Sequence, residues 1–159
     1  MTSGLPTPEE KLAELGLTVP EVVPPVAAYQ PAARSGNLVF TAGQLPSRDG
    51  AMLATGKLGD AVSEEQGYEC ARQCALNALA AIKTEIGSLD NITRVVKAVV
   101  FVASTPDFTG QPKVANGASE FLAEVFGDLG RHARSAVGVP VLPLDVPVEV
   151  ELVVELVEH

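Results

Sequence analysis

HARSAVGVPVLPLDVPVEVELVVELV, residues 132–157, decides the fold of this 159-residue chain. It reads as two strands joined by a proline-rich turn. Ala133–Val137 is short and mostly small or apolar, with Arg134 set inside it. Pro140, Pro143 and Pro147 then punctuate the chain, with Asp145 near the bend, and these are turn residues. From Val148 onward the pattern is regular: Val148, Val150, Leu152, Val154 and Leu156 alternate with Glu149, Glu151, Val153, Glu155 and Val157. A period of two is the signature of a strand. Arg134 and Glu149 stand out chemically. An arginine in an apolar strand is costly unless its charge is matched, and its planar fork suits a carboxylate. From position alone the favoured partner of Arg134 is a closing-strand glutamate, Glu149 included. Glu149, one of three alternating glutamates, reads by itself as part of a solvated face.

The rest of the chain must supply elements for these strands to pack on. Asn91–Ala103 is the strongest strand. Val96, Ala98, Val100 and Val102 lie on one side, Val95, Val99 and Phe101 on the other, and a strand apolar on both faces is buried on both. Ser63-Glu64-Glu65-Gln66 is a capping box that opens a long helix. Along it Ala71, Cys74, Ala75, Ala78, Leu79, Ile82 and Ile86 form one apolar stripe, and Gly87 is its stop. A second helix is predicted over Val114–Phe126, with Pro112 breaking any earlier start and Gly127 ending it. Upstream, Val26–Ala33 and Leu38–Ala42 read as strands of a hairpin whose turn takes positive φ from Gly36 and Asn37. Gly43 marks a bulge or a close backbone approach, and Ser47–Asp60 is a loop with room for a short edge strand. Residues 1–24 form an N-terminal extension with a short helix, opened by the capping box Thr7-Pro8-Glu9-Glu10, and residues 25–159 form the main domain. The order ββ, α, β, α, ββ predicts an α+β sandwich, a mixed sheet with two helices on one face. The other face is partly apolar and needs a cover, for which a second subunit is the simplest candidate.

Composition narrows the function. Apolar residues make up 47% of the chain, with no tryptophan, so the core is built from valine, leucine and alanine. No apolar run reaches the ~18–20 residues of a membrane span. No basic region precedes an apolar segment at the N-terminus, so no secretory signal is expected and the chain is read as cytoplasmic. Cys70 and Cys74 lie four apart on one helix face, without a nearby histidine to complete a metal site; they read as core thiols in a reducing cytosol. The net charge of −9 and the lack of a lysine–arginine cluster disfavour a nucleic-acid partner.

Arg-Ser, a short apolar run, Leu-Pro and then Val-Glu-Val-Glu resembles the closing signature of the YjgF/RidA family, which includes the proteins once called L-PSP endoribonucleases. Three more segments follow the family's order. Gly36–Pro46 resembles its early strand and SGQ-[IL]-P motif, Val99–Val102 with Asp107-Phe108 its middle strand, and Asn116–Phe126 its second helix. The resemblance covers roughly Pro25 to Leu156 and implies a chorismate-mutase-like fold and a homotrimer with a cleft at each subunit boundary. It implies that Arg134 holds a substrate carboxylate, that Glu149 orients a water, and that Tyr29 and Asn116 line the site. Two positions depart from the family's deaminases: Ala42 stands where serine is often found and Ala136 where cysteine is often found, so neither substrate-lining position can donate a side-chain hydrogen bond.

By resemblance, then, the chain is a hydrolase of reactive enamines and imines of the 2-aminoacrylate type, releasing ammonia and a 2-keto acid. It needs no metal or organic cofactor, because the imine is already electrophilic. The alternative is a non-catalytic trimer that binds small carboxylates; RNA cleavage rests on the older family name alone. The arginine and glutamate are expected from one chain and the tyrosine from the next.

Overall fold

Residues 4–158 are described by the computed structural model; residues 1–3 of the extension and His159 at the end of the domain lie outside the described residues. In chain order the elements are α1 (Pro8–Glu14), β1 (Ala32–Ser35), β2 (Leu38–Thr41), β3 (Ser47–Arg48), β4 (Ala51–Met52), α2 (Glu64–Ile86), β5 (Ile92–Ala103), α3 (Gln111–Phe126), β6 (Ala133–Val139) and β7 (Val148–Leu156). Five strands form one mixed sheet in the order β1-β2-β7-β5-β6, while β3 and β4 pair with each other in a small separate hairpin. The expected α+β sandwich is what forms, and the short helix expected in the extension, α1, is present with Thr7 as its cap. In α1 Leu12 is buried, Glu9 pairs with Lys83 at 2.8 Å, and the Glu9 amide donates to Asp90.

The two strands of the 132–157 stretch are not neighbours. β5 lies between them, parallel to β6 and antiparallel to β7. A strand apolar on both faces gains most at the centre of a sheet, where both of its edges are also paired. The linker between β6 and β7 reaches past it, with its prolines and with Leu144 and Asp145 at positive φ (57° and 58°). β5 also changes face. Its register with β7 shifts between Val95 and Lys97, and Val95 is fully buried while Val96 is only half-buried. A bulge thus carries Val95 to the core side, where strict alternation would have put Val96.

The helices start as their chemistry dictates. Ser63 accepts from the Gln66 amide and Gln66 answers to the Ser63 amide, satisfying two donors at the head of α2. In α3, Pro112 begins the helix where a break was expected, because a proline in the first turn loses no hydrogen bond. Val26–Gln30 is not a strand: Pro24, Pro25 and Pro31 flank it, and prolines cannot join a ladder. In the β1–β2 turn only Gly36 takes positive φ, 60°.

Alanine and glycine let α2 and α3 touch each other. A Cβ on Gly117 of α3 would overlap the backbone carbonyl of Tyr68 on α2. The sheet's other face is bare in this chain. Phe40, Val99, Phe101, Val137 and Val153 share it with Glu149, Glu151 and Glu155, and Phe40 and Val137 remain 44% and 45% exposed.

Gly117→Ala should force the two helices apart, at a cost of about 1–3 kcal/mol. Urea unfolding should show a lower midpoint with an unchanged slope. A variant as stable as the parent would mean that the crossing is looser than described.

Candidate functional site

Arg134 leaves the sheet on the helix face. It pairs across β5 with Ala98, which pairs in turn with Leu152, and both are buried. One guanidinium nitrogen, Nη1, donates to Asn116 Oδ1 at 2.8 Å and to Ser119 Oγ at 3.2 Å. Asn116 stands in the second turn of α3, so it caps nothing; its oxygen serves Arg134. Among the described residues no carboxylate comes within ion-pair distance of Arg134, so the partnership with a closing-strand glutamate does not form. A guanidinium has five N–H donors. Neutral oxygens take both of those on Nη1, which leaves the edge formed by Nε and Nη2. That edge is the bidentate fork that fits a carboxylate. Ala136 is two residues on along the same strand and face, opposite Val100.

Glu149 belongs to the opposite face. It pairs with Phe101, and its neighbours along β7, Val148 and Val150, are fully buried on the helix side. Its carboxylate lies against Gly43, where a Cβ would overlap it. The pairing of β2 with β7 resumes there at Gln44 and Val150, one residue out of step with Phe40 and Val153, so Gly43 provides both a bulge and a close approach. Burial raises the Glu149 pKa above the usual carboxylate value, and the neighbouring charge of Glu151 adds to the rise.

Tyr29 and Ala42 are found on the Gly43 side. Both line a groove of about 1000 Å³ between residues 16–25 and α2, and Tyr29 is 59% exposed on irregular chain before β1. One protomer therefore carries two separate clusters. Arg134, Asn116, Ser119 and Ala136 form one at the β6 edge. Glu149 against Gly43 forms the other beside β2, and Gly43 also lines the groove that holds Ala42 and Tyr29. Arg134 and Glu149 are two strands apart, about 10 Å, and on opposite sides of the sheet, so they are not brought together within one chain.

Ser119 was not singled out from the sequence. Its signal was there, three residues after Asn116 on a helix, which places both side chains on one face. Cys70 and Cys74 are buried thiols, and burial pushes the Cys70 pKa up to about 11.

A mixed five-stranded sheet with helices on one face and a half-buried arginine on its edge strand is the architecture of a chorismate-mutase-like sandwich. The family described as "YjgF/chorismate_mutase-like, putative endoribonuclease" matches residues 9–156, and the chain belongs to it. Protein TCP17 of Trypanosoma cruzi is 44% identical over 146 residues, covering 91% of each chain. The crystal structure of Atu1372 from Agrobacterium tumefaciens, a protein of unknown function, superposes with a TM-score of 0.88 at 43% identity, covering 95% of this chain and 94% of that one. The YjgF gene product of E. coli superposes at 0.59 with 27% identity, covering 82% and 90%. Among the described residues no helix is long and apolar enough to cross a membrane.

The raised pKa of Glu149 has a consequence for stability. A carboxyl whose folded pKa lies above its unfolded value favours folding below the unfolded value, and that contribution is lost as pH rises through the folded one. Glu149→Gln should therefore gain stability over the parent at pH 7 and lose that advantage near pH 4. Melting curves at the two pH values check this; an advantage at pH 4 alone would contradict the assigned burial.

Proposed function

We propose that this chain hydrolyses reactive enamines and imines derived from amino acids, and that it does so as a homotrimer. The observation that carries the reading is the state of Arg134: a half-buried cation, oriented by Asn116 and Ser119, with its bidentate edge unmatched by any carboxylate among the described residues. A ligand carboxylate is the group that matches it.

The chemistry follows from there. A 2-enamino acid tautomerises to the 2-imine. Arg134 holds the carboxylate, which also leaves the adjacent imine carbon electrophilic. Glu149 takes a proton from water as the oxygen attacks that carbon, giving a tetrahedral carbinolamine. That proton passes to the nitrogen; the carbinolamine hydroxyl then gives its own proton, by way of Glu149, to the same nitrogen as its oxygen becomes the carbonyl, the C–N bond breaks, and ammonia leaves a 2-keto acid behind. A carboxylate with a raised pKa is suited to taking and returning a proton near neutrality.

Because Arg134 and Glu149 face opposite sides of one sheet, the working site combines Arg134, Asn116 and Ala136 of one protomer with Glu149, Gly43 and Tyr29 of the next. This replaces the expected arrangement in which arginine and glutamate come from one chain. The bare apolar face supports the assembly, since head-to-tail contacts close a ring and cover it.

Ala42 and Ala136 favour a second reading, a trimer that binds small carboxylates without turning them over, since neither can contact substrate through a side-chain hydrogen bond. The endoribonuclease in the family's description finds little support in a chain with 11 basic and 20 acidic residues.

Serine dehydratase can generate 2-aminoacrylate while keto-acid release is followed with and without this protein. Faster release supports the hydrolase; binding of 2-oxobutanoate without faster release supports the binder. Mixing Arg134→Ala with Glu149→Gln under subunit exchange then tests the site. Each variant alone should lose roughly a hundredfold in kcat/KM, a loss of about 2.7 kcal/mol. Equal mixing should restore about a quarter of the wild-type sites, since one boundary in four pairs two intact residues from adjacent chains. No recovery despite proven exchange would return both residues to one chain.

A further inference from the structure

Behind Arg134 runs a chain of hydrogen bonds that the proposed reaction does not use. Ser119 Oγ lies 2.9 Å from His132 Nε2, and His132 Nδ1 lies 2.6 Å from the Gly130 carbonyl oxygen. His132 immediately precedes β6 and stands two residues before Arg134, on the same side of the strand.

The proton positions in this chain follow from what each group can do. The Gly130 carbonyl can only accept, so His132 Nδ1 carries the proton there. In a neutral imidazole Nε2 is then an acceptor, and Ser119 must donate to it. A serine has a single proton. With that proton committed to His132, the oxygen lone pairs of Ser119 are turned toward Arg134 Nη1, which needs an acceptor at its 3.2 Å distance. With the proton free to rotate, Ser119 could present O–H to the guanidinium, leaving one N–H unmatched and the fork free to swing.

We propose that His132 is a positioning residue for the carboxylate clamp, acting through Ser119. It fixes one of the two acceptors that hold Nη1, and so fixes the direction of the Nε–Nη2 edge. Asn116 provides the other acceptor, and two anchors on one nitrogen define the plane of the fork where one would leave it free to pivot. The inference rests on the reading of Arg134 as a clamp for a ligand carboxylate, but the proton position on His132 can be measured without any ligand.

The chain has two histidines, so their ring nitrogens can be resolved by labelling. Nitrogen NMR of unliganded protein at neutral pH should show His132 as the Nδ1–H tautomer, the one less favoured in water. Titration with 2-oxobutanoate should show His132→Phe, which keeps the ring volume but cannot accept from Ser119, binding five- to tenfold more weakly. In imine hydrolysis KM should rise by the same factor while kcat stays within twofold. Ser119→Ala should reproduce this loss and Ser119→Thr, which keeps the hydroxyl, should restore binding. Ser119→Ala combined with His132→Phe should be no worse than either alone, since both break one relay. The Nε2–H tautomer, a doubly protonated ring, unchanged binding in Ser119→Ala, or additive losses in the double variant would each overturn the proposal. If wild-type protein binds 2-oxobutanoate but hydrolyses no imine, the hydrolase reading fails and the binding series still decides the relay. If it binds no 2-oxobutanoate, the clamp reading fails and the positioning role falls with it, whatever the tautomer.

Discussion

β5 is the constraint on which the rest of the molecule depends. It pairs along one edge with β6 and along the other with β7. Side chains alternate across a strand, and paired residues share a face. Once Ala98, Val100 and Val102 are committed to the core, every residue opposite them on both neighbours is assigned. Arg134, paired with Ala98, must face the helices, and Glu149, paired with Phe101, must face away. No side-chain rearrangement can reverse this, because a slip of one residue would expose the whole buried set of β7. Two groups that the proposed chemistry needs on one small molecule are thus held apart by the same alternation that builds the core.

The packing explains why each group can persist where it is. A guanidinium with nothing but neutral partners is tolerable at the β6 edge because two of its donors are satisfied and the rest remain near solvent. Each such charge-assisted bond contributes about 1.5–3 kcal/mol relative to losing it, enough to orient the side chain without neutralising it. Glu149 has no cation beside it among the described ion pairs, and burial disfavours its ionised form. Gly43 is what makes room for it: any side chain there would displace the carboxylate. The cation edge and the carboxylate cradle are each built locally, one from α3 and β6, the other from the bulge of β2 against β7.

Much of this was legible from residues alone. The period of β7, the apolar run of β5, the capping box of α2 and the glycine stops of both long helices all express local rules that tertiary packing did not override. What could not be read is non-local. Alternation in 148–157 says that a strand is present but not which strand it pairs with, so β5 between β6 and β7 was invisible. The bulge that exchanges Val95 for Val96 leaves no compositional trace. Pro112 was read as a breaker because its meaning depends on whether the helix starts before or after it. Arg134 and Asn116 emerged as a pair only through family resemblance; their actual contact, and the recruitment of Ser119 and His132 behind them, depends on how α3 crosses β6.

Assembly would act on the electrostatics of Glu149 in two opposite senses. Covering the bare face removes more water from Glu149, which raises its pKa further. Bringing a neighbour's Arg134 toward it has the reverse effect, since an opposite charge within about 4–6 Å favours the carboxylate. A bound ligand carboxylate on Arg134 cancels most of that second influence. In the proposed trimer the proton affinity of Glu149 is therefore lowest while the site is empty and rises as substrate settles on the clamp. That is the direction general-base chemistry requires: the carboxylate becomes a stronger base at the moment a water must be deprotonated beside the imine.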